Sequence, residues 1–72
     1  MHIITKKEIM EQTGITKSVA SRIIREGKIA MVEKGYLFYA NKRLNFCPAT
    51  VVNEMLGLDL KGSEFNAVKS AS

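Results

Sequence analysis

Three consecutive residues, Gly14-Ile15-Thr16, constrain this chain more than any other feature, because they end one helix and start another with almost no chain between. Glycine is the residue that takes the left-handed backbone of a helix C-terminus without strain. Threonine is a preferred N-cap, its side-chain oxygen accepting from a free backbone N–H. Upstream, Thr5 and Glu8 fit the S/T-x-x-E capping box, which marks a helix start at residue 5. Ile9, Met10 and Thr13 then share one face. A first helix over residues 5–14 and a second from Thr16 follow, joined too tightly to lie far apart.

At 100° per residue, Val19, Ala20, Ile23, Ile24, Gly27, Ala30 and Met31 fall within an arc of about 140°, the width of a core-facing stripe. Lys17, Ser18, Ser21, Arg22 and Arg25 lie outside it. Two readings of residues 27–40 stay open. The stripe continues to Met31 and favours one long helix ending at Gly35, at the cost of exposing Ile29 and Val32. Alternatively Gly27 stops the helix, and KIAMV and YLFYA pair about EKG as a β-hairpin, or wing, between helices 2 and 3. The aromatic-then-basic segment YLFYANKRLNFC (36–47) includes a short extended piece. Tyr36, Phe38 and Tyr39 are expected to fill the core. A third helix begins at Pro48, a favoured first helical residue, and stops at Gly57, with Val51, Val52, Met55 and Leu56 closing the core. The fold class expected is mainly α, a three-helix helix-turn-helix domain over residues 1–60. KGSEFNAVKSAS (61–72) reads as a flexible C-terminal tail in which Phe65 and Val68 are sparse apolar points.

The chain has 72 residues, room for one domain with a thin core and no deep catalytic pocket. Its single cysteine, Cys47, rules out an internal disulfide and reads as a small buried apolar residue. MHIITKKEIM lacks the apolar run of a signal peptide, and no stretch approaches the ~20 apolar residues of a membrane span. A soluble, cytoplasmic protein without membrane association is expected. His2 stands alone, and no Cys/His cluster, phosphate-binding loop or nucleophile–base arrangement occurs. No catalytic residue, metal site or cofactor is assigned.

Charge is uneven. Residues 1–43 hold nine Lys/Arg against four Asp/Glu, and residues 44–72 hold two against three. A basic first half points to a polyanionic partner. The T-G-I-T-K-S-V-A-S-R-I-I stretch (13–24) resembles the helix-turn-helix of bacterial repressors of the lactose-repressor class, in the glycine, the Ser/Thr cap, the Ser-Arg pair and the paired β-branched residues. It departs at Met10 and Ala20, where such motifs often carry alanine and valine. This exchanges small-with-large for large-with-small and roughly conserves core volume.

Over residues 3–60 the pattern T-K-K-E-I…T-G-I-T…I-I-R…M-V-x-K-G-Y-x-F-Y-x-N-K-R-L…P…V-x-E-M-L-G is similar to a small uncharacterised family of mobile elements of Gram-positive bacteria. Its members often sit beside an integrase gene and are suspected of being excisionase-like. R-E-G-K-I also resembles the opening of the wing in excisionase and MerR-type winged helices. These resemblances imply a protein that binds double-stranded DNA sequence-specifically. The first role they imply is that of an accessory factor in excision, and repression of a nearby promoter is the alternative. A third alternative is a protein-interaction module docking on an integrase or repressor. Homodimerisation or cooperative assembly on DNA would draw on the apolar run Val51, Val52, Met55, Leu56, Leu58 and Leu60.

If helix 2 enters the major groove, its N-terminal residues meet base edges. The DNA-contacting set is then Thr16, Lys17, Ser18, Ser21, Arg22, Arg25 and Lys28, with Asn41, Lys42 and Arg43 as a basic loop on the backbone or minor groove. Arg22 is the residue suited to a bidentate guanine contact, unless Glu26 at i+4 holds it in a salt bridge. Lys17 and Arg25 suit phosphates.

Overall fold

A strand runs straight into the first helix. His2–Thr5 (β1) carries two isoleucines and a threonine, β-branched residues that suit a pleated surface. Thr5 is at once the last residue of β1 and the N-cap of α1 (Lys6–Thr13). Its backbone N–H donates to Glu8 Oε1 at 3.0 Å, and its Oγ1 accepts from the Glu8 backbone N–H at 3.3 Å. The capping box is thus complete. A computed structural model of the chain describes residues 2–64.

Helix α1 ends as its sequence demands. Gly14 takes φ +78° and its N–H donates to the Met10 carbonyl at 2.9 Å. Thr13 stitches the turn: its hydroxyl donates to the Ile9 carbonyl at 2.7 Å and accepts from the Ile15 N–H at 3.0 Å. Thr16 holds the N-cap position of α2 (Lys17–Glu33) with extended backbone, but its side chain makes no capping hydrogen bond. Its carbonyl receives the first helical bond, from Ala20 N–H at 2.9 Å.

Helix α2 runs 17 residues without a break at Gly27, about 25 Å at 1.5 Å per residue. The long-helix reading is the one that forms, and residues 28–32 and 36–40 do not pair as a wing. Gly35, at φ +102°, lies just past its end. Gly27 is tolerated inside the helix because of what lies against it. A Cβ there would stand 2.7 Å from Cys47 Sγ and 3.7 Å from Val51 Cγ1. The glycine is a place of close approach for β2 (Phe46–Pro48) and α3 (Ala49–Leu56).

A three-stranded antiparallel sheet, which no periodicity announced, closes the fold in the order β2-β1-β3. Ile3 pairs with Pro48, Ile4 with Cys47 and Thr5 with Phe46. On the other side His2 pairs with Glu64 and Ile3 with Ser63, of β3 (Ser63–Glu64). Ile4, Ile9, Ala20, Cys47 and Val52 have no exposed surface, and Ile23, Ile24, Met31, Tyr39, Ala49 and Val51 complete the core around them. Burial pushes the Cys47 thiol up to about 11, with the Lys28 charge pulling weakly the other way, and burial likewise raises Tyr39.

Several expectations are corrected here. Val19, on the edge of the α2 stripe, is 47% exposed. Of the aromatics expected in the core only Tyr39 is buried, on a 3₁₀ helix (Leu37–Ala40). Side chains at i and i+3 eclipse on so tight a helix, and Tyr36, Leu37 and Phe38 stay in solvent. Met55 is exposed while Val51 and Val52 carry α3 onto the core, with Leu56 packed beside them. Pro48 is the N-cap of α3 and Ala49 its first residue.

The expected tail starts too early. Gln12 Nε2 donates to the Lys61 carbonyl and Lys61 N–H donates to Gln12 Oε1, both at 2.8 Å. Ser63 Oγ donates to Glu8 Oε2 at 2.6 Å. Asn53 holds the approach to this segment, accepting from Leu60 N–H at 2.8 Å. Residues 61–64 are therefore part of the fold. Phe65 and Val68 lie outside the described residues.

Candidate nucleic-acid interface

The turn that sets α2 against α1 also decides which side of α2 meets water. Ala20, Ile23, Ile24, Gly27 and Met31 face the core. The residues between them, Lys17, Ser18, Arg22 and Arg25, are exposed, and Ser21 is half-buried. Arg22 and Glu26 stand at i, i+4, yet no ion pair joins them. The side chains of Lys17, Arg22, Arg25, Lys42 and Arg43 make no hydrogen bond or ion pair with any described residue. Their donors are available to a ligand.

A second element lies beside this face. The Leu44 N–H donates to the Asn41 carbonyl at 3.1 Å, and the Arg43 N–H donates to Asn41 Oδ1 at 2.9 Å. This is an Asx-type turn in which the asparagine side chain takes the place of a backbone acceptor. Lys42 and Arg43 sit at its corner, both exposed. The turn is tied to α2 by Lys28, whose Nζ donates to the Leu44 carbonyl at 2.6 Å. Asn41 and Lys28, read from sequence as ligand contacts, thus build the loop. An ammonium has three donors, and one of Lys28's is committed.

Between α2 and this loop lies an open concavity of about 530 Å³, lined by Lys6, Ser21, Ile24, Arg25, Lys28, Lys42, Leu44 and Asn45. Four of those side chains are cationic and none is acidic. A second open depression of about 550 Å³ adjoins it along α2 through the shared Ser21 and Arg25, and adds Ser18, Arg22, Glu26 and Ile29. Of the residues singled out from sequence, the structure brings Ser18, Ser21, Arg22, Arg25, Lys28 and Lys42 onto this continuous surface. Thr16 and Lys17 stand at the α2 N-terminus, and Asn41 and Arg43 on the turn, outside both depressions. Lys6 and Asn45 also line the concavity, and the sequence does not single them out. Their place depends on how α1 and the 41–45 loop settle against α2, and no local pattern carries that.

Among the described residues no group of three or more His, Cys, Asp or Glu could hold a metal. Nor, among the described residues, is any helix long and apolar enough to cross a membrane.

The elements define a small three-helix domain with a helix-turn-helix in its N-terminal half and a basic surface along the second helix. Residues 2–60 match the model of a domain of unknown function, DUF3173, and the chain belongs to that family. No curated protein and no solved structure matches the chain.

Proposed function

We propose that this protein binds double-stranded DNA sequence-specifically, with α2 as the helix that reads the major groove. We propose further that its task is that of an excisionase-like accessory factor of a mobile element. The observation that carries the DNA reading is the free face of α2. Ser18, Arg22 and Arg25 are exposed, and among the described residues neither arginine is paired with a carboxylate, Glu26 at i+4 from Arg22 included. Hydroxyl and guanidinium donors on one side of a well-anchored helix suit base edges and phosphates. The excision role draws on the resemblance of residues 3–60 to proteins of mobile elements.

Binding of a labelled duplex from the ends of the host element, against a random duplex of equal length, tests the DNA reading. Arg22→Ala should remove about 1–3 kcal/mol of discrimination between them. Equal affinity of the unmodified protein for both duplexes would refute sequence-specific reading. A regulator of transcription would use the same contacts, so footprints separate the roles. Protection at the element's ends supports excision, and protection confined to a promoter supports repression.

A further inference from the structure

Resting on that reading, we propose that the concavity between α2 and the 41–45 loop is a clamp for one stretch of DNA backbone, with Lys6 and Asn45 as members alongside Arg25, Lys28 and Lys42. Its ligand is the phosphodiester of duplex DNA, held without regard to sequence. It is separate in role from the Ser18–Arg22 surface that meets the bases.

Three elements far apart in sequence deliver its charges. Lys6 comes from the first turn of α1, Arg25 and Lys28 from the middle of α2, and Lys42 from the Asx-type turn. Four like charges lining about 530 Å³ with no carboxylate among them repel one another, and a bound anion relieves that repulsion. The side chains of Lys6, Arg25 and Lys42 make no hydrogen bond or ion pair among the described residues. Lys28 is different. Its ammonium is anchored on the Leu44 carbonyl, so part of the ordering cost of the site is met before any ligand arrives. Ser21 and Asn45 supply neutral donors at the same rim. Because Arg25 and Ser21 belong to both depressions, a phosphate seated here fixes where α2 lies along the groove, the positioning task that backbone contacts perform.

The test compares Lys6→Gln with Lys42→Gln, and the pair of them, against Arg22→Ala, measuring affinity for a specific and a random duplex across a salt series. Lys28 is left intact because its loss would free the loop. The double variant should weaken binding to both duplexes by the same factor and make the slope of log K against log salt shallower by about 2, one for each phosphate no longer neutralised. Thermal melting of the free protein should not fall, since neither side chain makes a hydrogen bond or ion pair among the described residues and the loss of two like charges relieves their repulsion. An unchanged slope, or a weakening confined to the specific duplex, overturns the clamp. If Arg22→Ala still abolishes discrimination in that case, the reading by α2 stands without it. If neither variant alters binding, both fail.

Discussion

Replacing Gly27 by alanine sets two effects of known size against each other. In a helix interior alanine is favoured over glycine by about 1 kcal/mol. Here the new methyl would stand 2.7 Å from Cys47 Sγ, with Cys47 Cβ at 3.5 Å. Cys47 has no exposed surface and sits on a strand paired to Ile4 of β1, so it has little room to retreat. Overpacking of this kind costs about 1–3 kcal/mol, enough to cancel the propensity gain or exceed it. Cys47→Ala removes the sulfur, leaving a small cavity at a cost on the order of 1 kcal/mol. In the double variant the nearest atom is the β-carbon at position 47, at an ordinary van der Waals distance. The new methyl then partly fills the space and the helix gains its propensity. The two substitutions should therefore couple favourably by about 1–3 kcal/mol, with the double variant at least as stable as either single one. For a domain of this size each kcal/mol moves Tm by roughly 4–8 °C. Urea and thermal denaturation of the four proteins read the cycle. Additivity within about 0.5 kcal/mol would refute the close approach of α2 to β2.

Two further perturbations probe the turn and the core. Gly14→Val places a β-branched residue at φ +78° with open space around it, so the cost is conformational alone, about 1–3 kcal/mol. An unshifted urea midpoint would mean the turn between α1 and α2 is not left-handed at Gly14. Raising pH should destabilise the fold from the range where an unfolded thiol ionises up to about 11, because the buried Cys47 keeps its proton while the unfolded chain releases one. The raised Tyr39 hydroxyl acts in the same sense at higher pH. Denaturation at pH 8 and pH 10 measures the destabilisation, and Cys47→Ala should reduce it. An equal effect in the variant would place its origin elsewhere.

The helix-turn-helix was legible because its signals are local. Thr5, Glu8, Gly14 and Gly57 each specify a helix end through bonds to residues at most four away. The 3.6-residue period of α2 assigned Ile23, Ile24 and Met31 to the core and left Ser18, Arg22 and Arg25 outside it. Local patterns left Gly27 open as a stop, because the apolar stripe continues beyond it while the flanking segments could also pair as a hairpin; the fold decided for the unbroken helix. What they could not supply was the reason a glycine stands there, which is Cys47, twenty positions on.

Tertiary structure alone decided the rest. Strands of two to four residues are too short for alternation to be read, and β1 and β3 exist because each finds a partner. Tyr39 is buried and its neighbour Phe38 is not, although both rings lie near Phe46, at 6.3 and 6.4 Å between centroids; the choice is made by which side of the 3₁₀ turn rests on the core. In the linear chain Arg25 and Lys42 stand out as candidate contacts on separate segments, and Lys6 does not stand out at all. They become one cationic surface only where α1 and the Asx-type turn are folded against α2, because long-range proximity is produced by packing and is not encoded in any single residue's spacing.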